Sequence, residues 1–129
     1  MLTLKRLLRY VLGVAFIAAG TNHFLQTEFY VSIMPDYLPW HRPLVYLSGI
    51  AEIVLGAMLC ISRSQRLAAW GLIAISIAVF PANLQMALHT ELYPQFSETA
   101  LWLRLPLQVA LIAWSWWYTR PEGQAIRRL

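Results

Sequence analysis

The run from Leu44 to Ile61 limits this chain more than any other stretch, because it is long and apolar enough to cross a bilayer yet carries Glu52 near its middle. A helix needs about 20 mainly apolar residues to span the hydrocarbon core. A carboxylate placed halfway along such a helix is costly, so it calls for a partner and an inward-facing position. Three more stretches have the same span-like character: Leu7 to Leu25, Leu67 to Leu88 and Leu101 to Tyr118. With 59% hydrophobic and only 12% charged residues over 129 positions, the composition does not suit a water-exposed surface. The expected fold is all-α: a transmembrane antiparallel four-helix bundle, with residues 1–129 forming one domain.

The charges fix an orientation. A net charge of +4 would suggest nucleic acid in a soluble protein, but here their placement matters more than their sum. Lys5, Arg6, Arg9, Arg63, Arg66, Arg120, Arg127 and Arg128 fall on the side shared by the N-terminus, the second loop and the C-terminus, whereas Arg42 and Arg104 lie on the other. Basic residues stay cytoplasmic, which places both termini in the cytoplasm of a bacterial-type inner membrane and makes the bilayer, not nucleic acid, the partner. The basic start followed by apolar residues and Ala18-Ala19-Gly20 also has the form of a secretory signal, but the first run is long enough to be kept as a helix. Cys60 is the sole cysteine, which leaves no pair for a disulfide or a CxxC redox motif.

The polar residues within the spans gather at one end. Counting the helical rise from Leu44 puts Glu52 about 12 Å below the outer edge, and counting from Leu101 puts Gln108 at about 10 Å with Arg104 a turn shallower. Asn22 and His23 end the first span, and Asn83 and Gln85 end the third. The outer half is therefore expected to hold the polar groups of all four helices, and the inner half none of comparable polarity. Ser48, Glu52 and Gly56 recur every four residues, as do Arg104 and Gln108, so each set shares a helix face. An ion pair between Glu52 and Arg104 is the expected pairing, with hydrogen bonds from His23, Asn83 or Gln108 as the other means of support.

Two readings of this cluster stand side by side. In one it is a structural network that fixes helix register. In the other it is a ligand pocket open to the outer face, formed by Glu52, Arg104, Asn83, His23, Gln108, Asn22 and Ser48. The segment from Phe29 to Trp40, stiffened by Pro35 and Pro39, reads as lying in the interface, with Met34 to Trp40 covering the pocket. Pro81 predicts a kink that frees the Ile77 carbonyl, to be satisfied by Ser76 or Asn83. His23, His41 and His89 lack ligand spacing, so no metal site is expected. No nucleophile motif is present and no catalytic residue is assigned, so the chain reads as more an accessory protein than an enzyme on its own.

Gly20-Thr21-Asn22-His23-Phe24, Ile33-Met34-Pro35 with Tyr37-Leu38-Pro39, and the helix from Ser48 to Gly56 together resemble the DoxX-like family of small four-helix membrane proteins. Ala69-Trp70-Gly71-Leu72, Phe80-Pro81-Ala82-Asn83 and Arg104-Leu105-Pro106-Leu107-Gln108 extend the resemblance, which covers Leu12 to Arg120. The wider DoxX superfamily includes a membrane subunit linked to thiosulfate and quinone oxidation, a maturation protein for methylamine dehydrogenase, and partners of oxidative-stress enzymes. The resemblance implies an accessory subunit of a membrane oxidoreductase, with quinone as the candidate ligand and a membrane or extracytoplasmic protein as partner. The alternatives are a non-catalytic membrane chaperone or assembly factor and a small-molecule transporter.

Overall fold

The computed structural model describes residues 3–120, which are mainly helical and contain no strand. Arg127 and Arg128, counted above in the charge asymmetry, lie outside the described residues. Helix α1 spans Leu4–Leu25, α2 Thr27–Ser32, α3 His41–Leu59, α4 Gln65–Leu88 and α5 Glu98–Trp117, with a 3-10 turn at Thr90–Leu92. The long helices start two or three residues before the apolar runs that announce them, because each opens on a polar turn. Thr3 Oγ1 accepts from the Arg6 N–H and Ser97 Oγ from the Ala100 N–H, both at 3.1 Å, which caps α1 and α5. Pro43 sits in the first turn of α3, where an N–H has no helical acceptor to lose. Helix α2 is an addition to the expected four, and it turns a stretch read as interfacial into a bar across one end of the molecule.

Two of the helices, α3 and α4, are long and apolar enough to cross a membrane. Helices α1 and α5 are of similar length, 22 and 20 residues, but carry Lys5, Arg6 and Arg9 in one and Glu98 and Arg104 in the other. Leu47, Ile50, Val54, Leu67, Ile77, Leu103 and Leu107 face outward, while Arg9, His23, Glu52, Gln65 and Asn83 are buried. That distribution reverses the usual one for a domain in water.

Helix α1 lies along α3, α3 along α4, and α4 along α5. The first contact is the tightest and runs through glycines in antiparallel register. A Cβ on Gly13 would stand 2.7 Å from the Gly56 carbonyl oxygen, and one on Gly20 would stand 2.5 Å from that of Gly49. Backbone therefore touches backbone at two places seven residues apart on each helix, the close approach that small residues allow between membrane helices. A core of Leu12, Phe16, Leu59, Ala68, Ala69, Leu72 and Tyr118 fills the half of the molecule at the start of α1, the inner half in the sense of the sequence expectation, with α2 at the other, outer, end. A second cluster, Ile33, Met86, Tyr93 and Leu101, sits at the outer end.

The inner half is not free of polar groups, contrary to the expectation from depth counting. Arg9 is 1% exposed and donates to the side chain of Gln65, and a second donor stands 3.5 Å from Ser62 Oγ. Gln65 Nε2 donates in turn to the Tyr118 carbonyl at 3.3 Å. Arg9 shares a face with Leu12 and Phe16, and helical spacing carries it inward with them even though it lies among the basic residues of the N-terminal flank.

Changing Gly20 to Ala places a methyl against backbone that cannot move aside, whereas the same change at Gly71 meets only the flexible end of Leu55, 2.7 Å away. Gly20→Ala should destabilise by about 1–3 kcal/mol and Gly71→Ala by much less. Thermal unfolding of the two variants in one detergent checks the order, and equal midpoints would show that the backbone contact is not a tight one.

Candidate functional site

The outer half holds a cavity of about 220 Å³ to which all the long helices and α2 contribute. Phe16, Ala19 and His23 come from α1, Tyr30 from α2, Val45, Ser48 and Glu52 from α3, Ser76, Val79 and Asn83 from α4, and Arg104, Gln108 and Leu111 from α5. Six of the seven residues expected at a pocket thus line it together. Asn22 does not; its Nδ2 donates to the Tyr30 hydroxyl at 2.9 Å and so steadies the roof.

The expected ion pair between Glu52 and Arg104 is not formed. Arg104 lies on α5, whose neighbour is α4, and its Nε donates to Asn83 Oδ1 at 3.1 Å. Asn83 Nδ2 donates to Gln108 Oε1 at 3.1 Å, and Gln108 Nε2 donates to the Ser76 carbonyl at 3.0 Å. Arg104, Asn83, Gln108 and Ser76 thus form one chain of donors and acceptors that crosses between α5 and α4 three times. The remaining N–H groups of the Arg104 guanidinium make no hydrogen bond among the described residues.

Glu52 stands on the other wall. It is 7% exposed, and its Oε2 is buried with no hydrogen-bond partner. The closest basic group is His23, whose Nδ1 is 3.7 Å from that oxygen, too far for a hydrogen bond. His23 Nδ1 lies 2.8 Å from the Ala19 carbonyl, and the ring nitrogen can only donate there. The His23 ring also stacks on Tyr30, with centroids 4.0 Å apart and planes 14° from parallel. His23 is therefore a wall of the cavity, oriented by backbone on one side and by α2 on its face. Ser48, one turn before Glu52, lines the same wall.

The cover also differs from expectation. Tyr30, Ile33 and Met34 line the cavity, whereas Tyr37 and Trp40 point away and are exposed. Helix α2 is pinned to the far side by Phe29 against Phe96, with ring centroids 5.6 Å apart, and by Tyr93, whose hydroxyl donates to the Ser32 carbonyl at 3.3 Å. The residues over this end of the cavity are thus Tyr30, Ile33 and Met34, a cover shifted toward α2 from the expected Met34 to Trp40 stretch. No apolar period marks Tyr30 as an inward residue, because the chain bends at Gln26 before α2 begins.

Helix α4 continues through Pro81 to Leu88 without a break. Neither the Ser76 nor the Asn83 side chain takes up a freed carbonyl; Gln108 of α5 bonds the Ser76 carbonyl instead, one residue from the one that Pro81 leaves without its usual donor. Among the described residues no three His, Cys, Asp or Glu side chains gather as metal ligands. His41 Nε2 is 3.1 Å from the Pro35 carbonyl and His89 is 3.6 Å from Glu91, each far from the cavity in its contacts.

The profile of one family, described as a domain of unknown function (DUF8561), matches residues 12–119. No curated protein and no solved structure matches.

If Asn83 joins Arg104 to Gln108, then Asn83→Leu should cost about 1–3 kcal/mol, because it strands buried polar groups on both sides. A double-mutant cycle between Asn83→Leu and Arg104→Met should show a coupling of about 0.5–3 kcal/mol, against a smaller one between Glu52→Gln and Arg104→Met. Unfolding in detergent micelles measures both cycles, and the reverse order would restore the direct Glu52–Arg104 pair.

Proposed function

We propose that this chain, which belongs to the DUF8561 family, is a four-span membrane protein that holds a small amphiphile, a quinone or quinol in the first instance, in the cavity beneath α2. The fact that carries this reading is Glu52 Oε2. A buried carboxylate oxygen with no hydrogen-bond partner is costly, and Glu52 lines a cavity that Arg104, with N–H groups beyond the one given to Asn83, lines as well. A ligand with a hydrogen-bond donor at one edge and an oxygen at the other would satisfy both walls. A dry apolar cavity of about 150 Å³ takes a benzene ring. A volume of about 220 Å³ then suits one substituted ring.

A quinol fits these terms without further machinery. Its O–H donates to the Glu52 carboxylate, an oxygen accepts from Arg104, and Phe16, Val79 and Leu111 enclose the ring. Glu52 is the group placed to take up or return a proton at the ligand oxygen, and Arg104 the group that orients it. The chain then acts as an accessory subunit of a membrane oxidoreductase system, handing its ligand to a membrane or extracytoplasmic partner. This is the role that the DoxX-like resemblance also implies.

The outward apolar surface and the spans of α3 and α4 support membrane residence. In this reading α1 and α5 also cross, as an antiparallel bundle with α3 and α4. Lys5, Arg6, Arg63, Arg66 and Arg120 at one end then put both termini in the cytoplasm and α2 on the outer side of a bacterial-type inner membrane. The donor chain between α4 and α5 favours a second reading, a purely structural network in an assembly factor, because each of its links is satisfied within the protein.

Mass spectrometry of an organic extract from the purified protein separates the two. Wild type should carry a quinone or another ring-bearing amphiphile well above its share of the bulk lipid. Arg104→Met should retain about tenfold less or lower, the loss expected when a charged hydrogen bond is removed. An extract that matches bulk lipid in both proteins would leave only the structural reading.

A further inference from the structure

The roof, the floor and the order of the helices leave one side of the cavity open, and that side faces lipid in the reading above. Above it, α2 is tied to α1 through Asn22 and Tyr30 and to the start of α5 through Phe29, Phe96, Tyr93 and the buried Leu101. Below it, the core around Leu12, Phe16 and Leu72 is closed, with Leu111 and Trp114 packed against it. Three sides are helix on helix: α1 on α3, α3 on α4 and α4 on α5. No comparable contact joins α1 to α5 among the described residues.

Those two helices do meet at the inner end, where the Tyr118 hydroxyl donates to the Lys5 carbonyl at 2.8 Å. Counting outward from that contact along the antiparallel helices puts Ala15 on α1 about 15 Å from it and Leu107 on α5 about 16.5 Å from it, nearly level with each other. Both are exposed. Ala19, one turn further out on α1, already lines the cavity, as does Leu111 on α5. The gap above Leu111 is therefore bordered by two alanines on one side and leucines on the other, and it leads into the cavity that Glu52 lines.

The geometry points to a side entrance between α1 and α5, through which the cavity takes the head of a lipid-borne molecule while its apolar tail lies out in the seam. This inference rests on the ligand-binding reading given above and narrows it: the occupant is a tailed amphiphile drawn from the bilayer, not a water-soluble solute admitted past α2. The cavity volume points the same way, since it suits a ring and has no room for a chain of ten or more carbons folded beside it.

The test uses the full chain in lipid nanodiscs and two probes that share a dimethoxy-methyl-benzoquinone head, one bare and one with a decyl chain. Ala15→Trp narrows the seam from a position that does not line the cavity. It should weaken the decyl probe by about tenfold or more while leaving the bare head within about twofold of wild type. Leu107→Trp narrows the seam from the opposite rim and should do the same, so the result does not hang on one helix tolerating the change. Equal affinity of the decyl probe for wild type and both variants would overturn the side entrance and leave the binding reading standing. An equal loss of both probes would also overturn it, by placing the whole occupant inside the cavity. Failure of wild type to bind either probe would overturn both.

Discussion

The contact of α1 with α3 sets the geometry on which the rest depends. Because Gly13 meets Gly56 and Gly20 meets Gly49 without side chains between them, the two helices touch at the backbone over seven residues. The outer of those contacts also places the two ionisable groups of the cavity wall. A Cβ on Gly20 would reach 3.0 Å from Glu52 Cβ, and a Cβ on Gly49 would reach 2.9 Å from His23 Cβ. His23 and Glu52 are therefore neighbours because the glycines are, and their 3.7 Å separation follows from backbone and not from mutual attraction.

The opposite pair of helices is joined by different means. Helices α4 and α5 have no matched glycines; their outer halves are held by the chain from Arg104 through Asn83 and Gln108 to the Ser76 carbonyl. Directional bonds of this kind fix register, whereas glycine contacts fix distance. Helices joined as one tight pair and one hydrogen-bonded pair need not close evenly. Here α3 and α4 share a short connection and lie together, while α1 and α5 meet through Tyr118 and Lys5 and share no comparable contact elsewhere among the described residues. The cavity occupies the space so formed, and α2 covers it because the Gln26 bend sends the chain back across the same end.

The helices were legible in the sequence because span length and apolar character act locally, residue by residue. Ser48, Glu52, Asn83, Arg104 and Gln108 were legible as a cluster for a related reason: depth along a helix is a count, and all five counts fell at one end. Partner choice was not legible in this way. Depth puts Glu52 and Arg104 at similar levels, but only the order in which the helices pack, α3 on α4 and α4 on α5, reveals that Asn83 stands closer to Arg104 than Glu52 does. Arg9 illustrates the same gap at the other end. Its place in a basic N-terminal run suggests solvent, yet the face it shares with Leu12 and Phe16 takes it to Gln65. Tyr30 was hidden for another reason, since its inward position depends on a bend at Gln26 that no periodicity marks.

The separation of Glu52 from Arg104 alters what the pair can do. Had they met, each would have satisfied the other, and the outer half would have held a closed ion pair useful for register and little else. Because Arg104 bonds Asn83 through one nitrogen, its other N–H groups make no hydrogen bond among the described residues, and Glu52 keeps an oxygen without a donor. A carboxyl group and a guanidinium stand on separate walls of one cavity, each with polar atoms that the other does not satisfy. The glycine contact on one side and the amide chain on the other hold those walls apart, so the fold itself maintains the gap between them.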